Sequence, residues 1–374
     1  MNPVLDRSFV AAHARGGGWA EVAKSCADQL HSLPPGANLG FLYATDALAA
    51  DLGSILTFLR ERTRIADWVG SVGLGVCASG HEYFGEPALA VLVATLPEGR
   101  ARLFTPAAAN AATLTQDEWF VRVRPMVAIA HGDPRDTDIG ERVGSLAADA
   151  SLYLVGGLAA ASEAPVQVAG RVVEGGLSGV LLAPDVPVLT GLTQGCSPIG
   201  PIHRITEASD NIIAALDDRP ALDVFKEDIG ELLSRDLRRV AGLIFAGFPV
   251  AGSDTGDYLV RNLVGIDMPR GWLAVAQPVS VGDRVLFCRR DPANAAADLT
   301  RMLSELKARA GAPPRAGLYF SCVARGPNLF DEPMRETALI RDAFGDFPLA
   351  GFFGNGEIAH NRIYGYTGVL ALFM

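Results

Sequence analysis

The chain is 374 residues long, 49% hydrophobic and 20% charged, with 41 Gly and 23 Pro. At about 150 residues per domain, that length suggests two or three domains or one large duplicated one, enough to bury a core without disulfide or metal staples. Thirty-two basic residues against 42 acidic ones leave a net charge of −10, which excludes bulk attraction to nucleic acid or an anionic membrane as the main business.

The five cysteines, Cys26, Cys77, Cys196, Cys288 and Cys322, are odd in number and widely spread, unlike a disulfide framework. No stretch reaches the roughly 18 consecutive apolar residues of a membrane span. Met1 to Gly18 lacks the basic and then apolar regions of a signal peptide. The expectation is a soluble, reduced, cytoplasmic protein.

In chain order, the opening ends in Arg15-Gly16-Gly17-Gly18. A short helix fits Trp19–His31, stopped by Pro34-Pro35-Gly36, so residues 1–36 read as an N-terminal extension and helix. Leu39–Tyr43 is a short apolar run, hence a buried strand. Asp46–Arg62 places Leu48, Leu52, Ile55, Leu56 and Leu59 on one helical face. Trp68–Cys77 and Ala88–Leu96 then read as strands. The order strand, helix, strand, strand recurs at Met126–Ala130, Ile139–Asp149, Ser151–Val155 and Gly179–Leu182. It recurs again at Gly317–Cys322, Met334–Phe344, Pro348–Phe353 and Gly368–Phe373.

The second strand of each unit runs into glycines, although residue identity between units is slight. Val240–Arg289 is a candidate for a divergent fourth copy. A seam falls near Asp217-Asp218-Arg219-Pro220, dividing residues 37–217 from 218–374, with helices expected at Leu222–Phe225 and Gly230–Arg239. The predicted fold is α+β: two packed halves of βαββ-like units, with mixed or antiparallel sheets covered by helices. The missing strict βαβα alternation argues against a doubly wound sheet.

Two stretches, Gly73–Ala78 and Gly354–Ala359, read G-x-G-x-x-A. That fingerprint holds a pyrophosphate only where it opens a helix, and neither stretch does so, which argues against nucleotide binding there. Cys77 and His81, and Cys196 and His203, lack the second pair that a zinc site needs, so no metal site is expected. Haem is less constrained, because one axial residue can hold it from any pocket wall. In Thr193–Pro201, glycine and proline predict a fixed loop with exposed amides. Its Cys196 is either a buried small thiol or, with a base beside it, a nucleophile. In Gly351–Glu357, Asn355 offers donor and acceptor and Glu357 can accept from an amine, although a β-turn explains the same residues.

These residues resemble a known family. Gln194–Pro201, Asn211-Ile212-Ile213 and Leu216–Leu222 are similar to the middle of the FIST (F-box and intracellular signal transduction) sensory module. The likeness continues through Tyr258–Asn262, Gly265-Ile266-Asp267, Arg290-Asp291, Phe320–Gly326, Gly351–Glu357 and Gly365–Phe373. It covers the chain from about Ala37 onward, as a FIST N-terminal domain over 37–217 and a FIST C-terminal domain over 218–374. It departs at Asp218, where the family more often has Gly, and at Ala359-His360-Asn361, shorter than a Gly-rich insertion many members carry.

The resemblance implies a ligand sensor rather than an enzyme, since it brings no catalytic residues. Small ligands such as amino acids are implied. A haem-binding nitric-oxide sensor acting on a histidine kinase is an alternative, as is a cysteine-dependent enzyme using Cys196. A chain of this length leaves no room for an output domain, so the signal is expected to pass to a separate protein. The expected cleft has Arg261 and Arg325 holding an anionic group, with Asn355, Gly356 and Glu357 meeting an amine or amide. Gln194, Gly195 and Cys196 line the other wall. A small polar metabolite fits this inventory. The rival expectation pairs Arg261 and Arg325 with Asp267 and Asp331 as structural bridges.

Overall fold

The computed structural model describes residues 8–234, 237–240, 242–250 and 256–374. Two compact units emerge: Met1–Thr193 together with Ala296–Met374, and Gln194–Ala295. The seam read from the sequence at residue 218 therefore lies inside the second unit, and the chain returns to the first.

The first unit contains three six-stranded sheets, each built around one βαββ repeat. In the first repeat, lead strand Leu39–Thr45 and helix Leu52–Thr63 precede partner strand Asp67–Gly73, parallel to the lead strand. Closing strand Ala88–Ala94 runs antiparallel on the other side. Val127–Gly132, Ile139–Asp149, Tyr153–Leu158 and Leu177–Leu182 repeat the arrangement. Ala316–Cys322, Arg335–Phe344, Leu349–Gly354 and Thr367–Phe373 repeat it again. Parallel strands buried on both faces explain the continuous apolar runs. The helices supply one apolar face each, Leu52, Ile55, Leu56 and Leu59 in the first. The extension belongs to this scaffold, for Phe9–Arg15 pairs with Ala88–Ala94.

The glycines have a common cause. Gly70, Gly156 and Gly351 face Leu42, Ala130 and Tyr319 across the parallel pairs. A Cβ at any of them would lie 1.8 Å from the facing carbonyl oxygen. One residue further along each lead strand, Tyr43, His131 and Phe320 bring their rings together, with centroids 5.5, 6.0 and 6.2 Å apart. Phe352 stacks on Tyr43 at 5.2 Å. Equivalent positions of three repeats thus build one core.

Each repeat then sends a hairpin into a neighbour's sheet. Gly75–Ala78 with His81–Phe84 joins the third repeat against Leu349–Gly354. Gln167–Ala169 with Val172–Val173 joins the first against Asp67–Gly73. Glu357–His360 with Arg362–Tyr364 joins the second against Tyr153–Leu158. The exchange is cyclic. At the crossings the N–H groups of Leu74, Ala160 and Asn355 donate to the carbonyls of Phe353, Val72 and Leu158, at 3.1, 3.1 and 3.0 Å. The expected single strand Trp68–Cys77 is therefore two strands in two sheets, broken at Leu74. Both G-x-G-x-x-A stretches are such crossings, where backbones pass too closely for side chains: a Cβ on Gly354 would lie 2.4 Å from the Leu158 carbonyl oxygen.

The second unit is an antiparallel eight-stranded sheet, closed on itself where Arg284–Arg290 pairs with both His203–Ser209 and Ile244–Pro249. Its helix Ala221–Ser234 buries Leu222 and Phe225 and is interrupted at Gly230, where φ is 78°. Of the expected helix Gly230–Arg239, residues 231–234 are helical and Leu237–Val240 form a 3-10 turn, while residues 235 and 236 lie outside the described residues. The expected fourth βαββ copy over Val240–Arg289 is overturned. Among the described residues the strands there, Ile244–Pro249, Tyr258–Asp267, Trp272–Val275 and Arg284–Arg290, pair only antiparallel and no helix joins them.

Candidate functional site

The expected site residues fall in both units. In the second, Gln194 and Cys196 are buried and share one neighbour, Tyr258. Gln194 Nε2 donates to the Tyr258 carbonyl at 3.2 Å, and Tyr258 Oη donates to the Cys196 carbonyl at 2.5 Å. The expected loop of exposed amides is instead strand. Cys196–Pro198 pairs with Arg284–Arg290, the Ile199 N–H is spent on the Phe287 carbonyl, and Gly195 is the buried bend between strands. The sheet ladder outcompetes a free loop because buried amides need partners. Cys196 lies against Cys288, whose thiol that contact and burial push far up; both cysteines are free thiols. Arg261 is partly buried and donates Nη1 to the Val260 carbonyl at 2.9 Å; desolvation holds its guanidinium below the ordinary value.

In the first unit the third repeat carries a buried charged cluster. Arg325 follows its lead strand, and Glu357 follows its partner strand, so both lie beyond the carboxyl ends of a parallel pair, where open α/β sheets place ligands. Neither has exposed surface. Arg325 Nε donates to Glu336 Oε1 at 2.8 Å. Glu336, equally buried, is saturated: Tyr319 Oη donates at 2.6 Å, Ser321 Oγ at 3.1 Å and the Gly326 N–H at 3.0 Å. The expected bridge from Arg325 to Asp331 is thus replaced by one to Glu336, because Glu336 is presented by the first turn of helix Arg335–Phe344. Asp267 likewise pairs with Arg270, three residues on in the same turn, rather than with Arg261.

What the cluster leaves open is more telling. Arg325 Nη1 and Nη2 have no hydrogen-bond partner among the described residues, and neither has Glu357 Oε1. Phe330 lies under the guanidinium at 5.7 Å. Burial, together with opposing bonds from Thr367, leaves the Glu357 carboxyl pushed up to about 8. Burial and the nearby Glu336 charge raise Glu82 to about 7, although the Thr337 N–H donates to it at 3.0 Å. Cys322, beside Glu357 and Arg325, has its thiol raised by burial first and by the Glu357 charge second. Asn355 and Gly356, expected beside Glu357, serve the crossing. The Asn355 side chain is exposed, and the Gly356 carbonyl accepts from the Leu158 N–H at 2.8 Å.

Glu336, Tyr319, Ser321 and Thr367 escaped the sequence reading. Glu336 sits in an amphipathic helix, where an acidic residue in the first turn reads as solvated. A signal existed in Ser321 to Gly326, which holds a hydroxyl, a thiol and an arginine at a strand end.

The second repeat offers an internal comparison. Gln167 pairs with Ser71 in its hairpin as Glu357 pairs with Gly157, at equivalent register. Its amide, oriented to satisfy both ends, donates to the His131 carbonyl at 2.6 Å and accepts from the Asp133 N–H at 3.2 Å. The first repeat has Val76 there. Only the third repeat places an ionisable group at this position.

Two family models match the chain. The FIST N domain matches residues 38–219 and the FIST C domain residues 221–360. An uncharacterized protein of Mycobacterium tuberculosis is 31% identical over 355 residues, covering 88% of this chain and 92% of its own. Another, of Mycobacterium bovis, is 34% identical over 212 residues, 54% of each chain. This chain belongs to the FIST family, carrying a FIST N domain followed by a FIST C domain.

Proposed function

We propose that the protein is a non-catalytic sensor that binds a small polar metabolite, such as an amino acid, at Arg325 and Glu357 and passes its signal to a separate protein. FIST domains are generally taken as small-ligand sensory domains in signal transduction. The observation that carries the reading here is that two guanidinium nitrogens of Arg325 and one carboxyl oxygen of Glu357, side chains that interact electrostatically, are fully buried with no partner among the described residues. Leaving such groups unpaired costs about 1–3 kcal/mol each, more when charged. A ligand that supplies the missing partners recovers that cost. A guanidinium fork matches a carboxylate or phosphate bidentately.

Among the described residues no helix is long and apolar enough to cross a membrane. Haem and a histidine-kinase partner remain the alternative within the sensor class. Cys196 as a nucleophile is the enzymatic alternative, and its burial against Cys288 speaks against it.

A thermal-shift screen of amino acids, organic acids, nucleotides and hemin tests the reading. A ligand at 100 times its Kd adds about 2.7 kcal/mol. The expected result is a saturable rise in melting temperature from a small polar acid that Glu357→Gln alters. A rise from hemin alone, with a Soret band, replaces this reading with the haem one.

A further inference from the structure

We propose that the Arg325–Glu357 site is an all-donor site, in which Glu357 presents a neutral carboxylic O–H, and that it selects its ligand by an oxyanion rather than by an amine. This rests on the reading of these residues as the ligand site. It reverses the role expected for Glu357, from acceptor to donor.

The hydrogen-bond pattern carries the argument. Glu357 Oε2 already accepts twice, from the Thr367 N–H at 3.2 Å and from Thr367 Oγ1 at 2.7 Å. Both donors fall on one oxygen, so a proton on the carboxyl resides on Oε1, the oxygen with no partner. The charged and titratable groups felt by Glu357 are Arg325 and Glu336, with Cys322 also coupled to it. Arg325 is already neutralised by Glu336 through Nε, and the Glu336 charge disfavours a second buried carboxylate nearby. Among Arg325, Glu336 and Glu357, an ionised Glu357 leaves one net negative charge and a neutral one leaves none. The raised carboxyl agrees with the neutral form at pH 7.

The fold supplies an independent control. At the equivalent position of the second repeat stands Gln167, the neutral isostere of a protonated glutamate, with a donor on one arm and an acceptor on the other. The scaffold thus accommodates a neutral donor at this register. With Glu357 neutral, the three open positions are Arg325 Nη1–H, Arg325 Nη2–H and Glu357 Oε1–H. All are donors, and the complementary group is a carboxylate or another oxyanion.

The test is calorimetric titration of the full chain with acetate, propionate, glycine and ethylammonium from pH 6 to 9.5, beside infrared difference spectra of wild type against Glu357→Gln. The inference expects acetate and propionate to bind, with affinity falling about tenfold per pH unit above about 8, since one proton is lost there. Glu357→Gln, whose side chain cannot ionise, should flatten that fall. Wild type at pH 7 should show the carbonyl stretch of an un-ionised acid that the variant lacks. Ethylammonium bound in preference to acetate, or affinity rising through pH 8, overturns the inference and leaves the sensor reading standing. An ionised Glu357 in the infrared spectrum at pH 7 overturns it without any ligand. If none of the four probes binds while the infrared band is present, Glu357 is neutral but selects no oxyanion, which overturns both the inference and the site on which it rests.

Discussion

Glu336 is the residue on which the buried cluster depends. It is the acceptor that holds Arg325, and it takes four donors on its two oxygens. Replacing one member of a buried ion pair strands the other charge, at about 3–5 kcal/mol. Glu336→Gln should therefore lower unfolding free energy by roughly that amount, read from the midpoint of a urea titration. A shift below about 1 kcal/mol, the range of exposed pairs, would show that the pair is solvated.

Glu357 and Glu82 make a second prediction at this scale. Their carboxyls are raised from 4.5 to about 8 and about 7 respectively, burial being the first cause for both. Each binds its proton more tightly folded than unfolded. Between about pH 4.5 and 8 the native state then holds more protons, and these two groups make stability fall as pH rises. Glu357→Gln should gain on wild type as pH rises from about 5 to about 8, the gain levelling off above that. Parallel stability profiles for the two proteins from pH 5 to 9 would contradict the assignment.

At the scale of elements, the three helices and their flanking strands were legible because a single periodicity dominates each. The lead strands are short apolar runs, and the helices place leucines at three- and four-residue spacing. The crossings were illegible for the opposite reason. Gly73, Leu74 and Gly75 continue an apolar run without a local turn signal, yet the chain changes sheets there. What marks the place is an approach by Phe353 from far along the sequence, and periodicity carries no trace of it. The same holds for Asn355 and Gly356, whose turn-like composition suggested a ligand loop but serves a backbone crossing. Gly351 tests the element argument. Its Cβ would sit 1.8 Å from the Tyr319 carbonyl oxygen and 2.9 Å from Cys77 Sγ. Gly351→Ala must push two parallel strands apart, and overpacking of this kind costs about 1–3 kcal/mol. Chemical denaturation checks it, and an unchanged midpoint would mean that the strands yield freely.

For the whole molecule, cyclic hairpin exchange explains why the repeats are recognisable in chain order while the compact units do not follow it. No repeat can be cut out whole, because each sheet borrows a hairpin from another. The second unit is different in kind, entered after Thr193 and left before Ala296. Thr193 Oγ1 donates to Asp298 Oδ2 at 2.9 Å, so exit and re-entry are adjacent in the first unit. A short Gly/Ser bridge replacing residues 194–295 closes a small gap at little entropic cost. The shortened chain should unfold in one cooperative transition with near-native circular dichroism per residue. A broad, non-cooperative transition would show that the first unit depends on the second.

Sequence resemblance reached the family, but not which arginine matters. Arg261 and Arg325 looked alike until burial and the placement of Glu336 separated them. Arg325 and Glu357 are proposed to be left unsatisfied for a ligand. A high-resolution crystal structure with the acid giving the largest thermal shift tests it most directly. Ligand oxygens should lie within about 3 Å of both Arg325 Nη1 and Nη2, with Glu357 Oε1 in contact with the same group. Two ordered waters on those nitrogens, with the ligand bound elsewhere, would show that the open positions are ordinary hydrated polar groups, and the claim would be wrong.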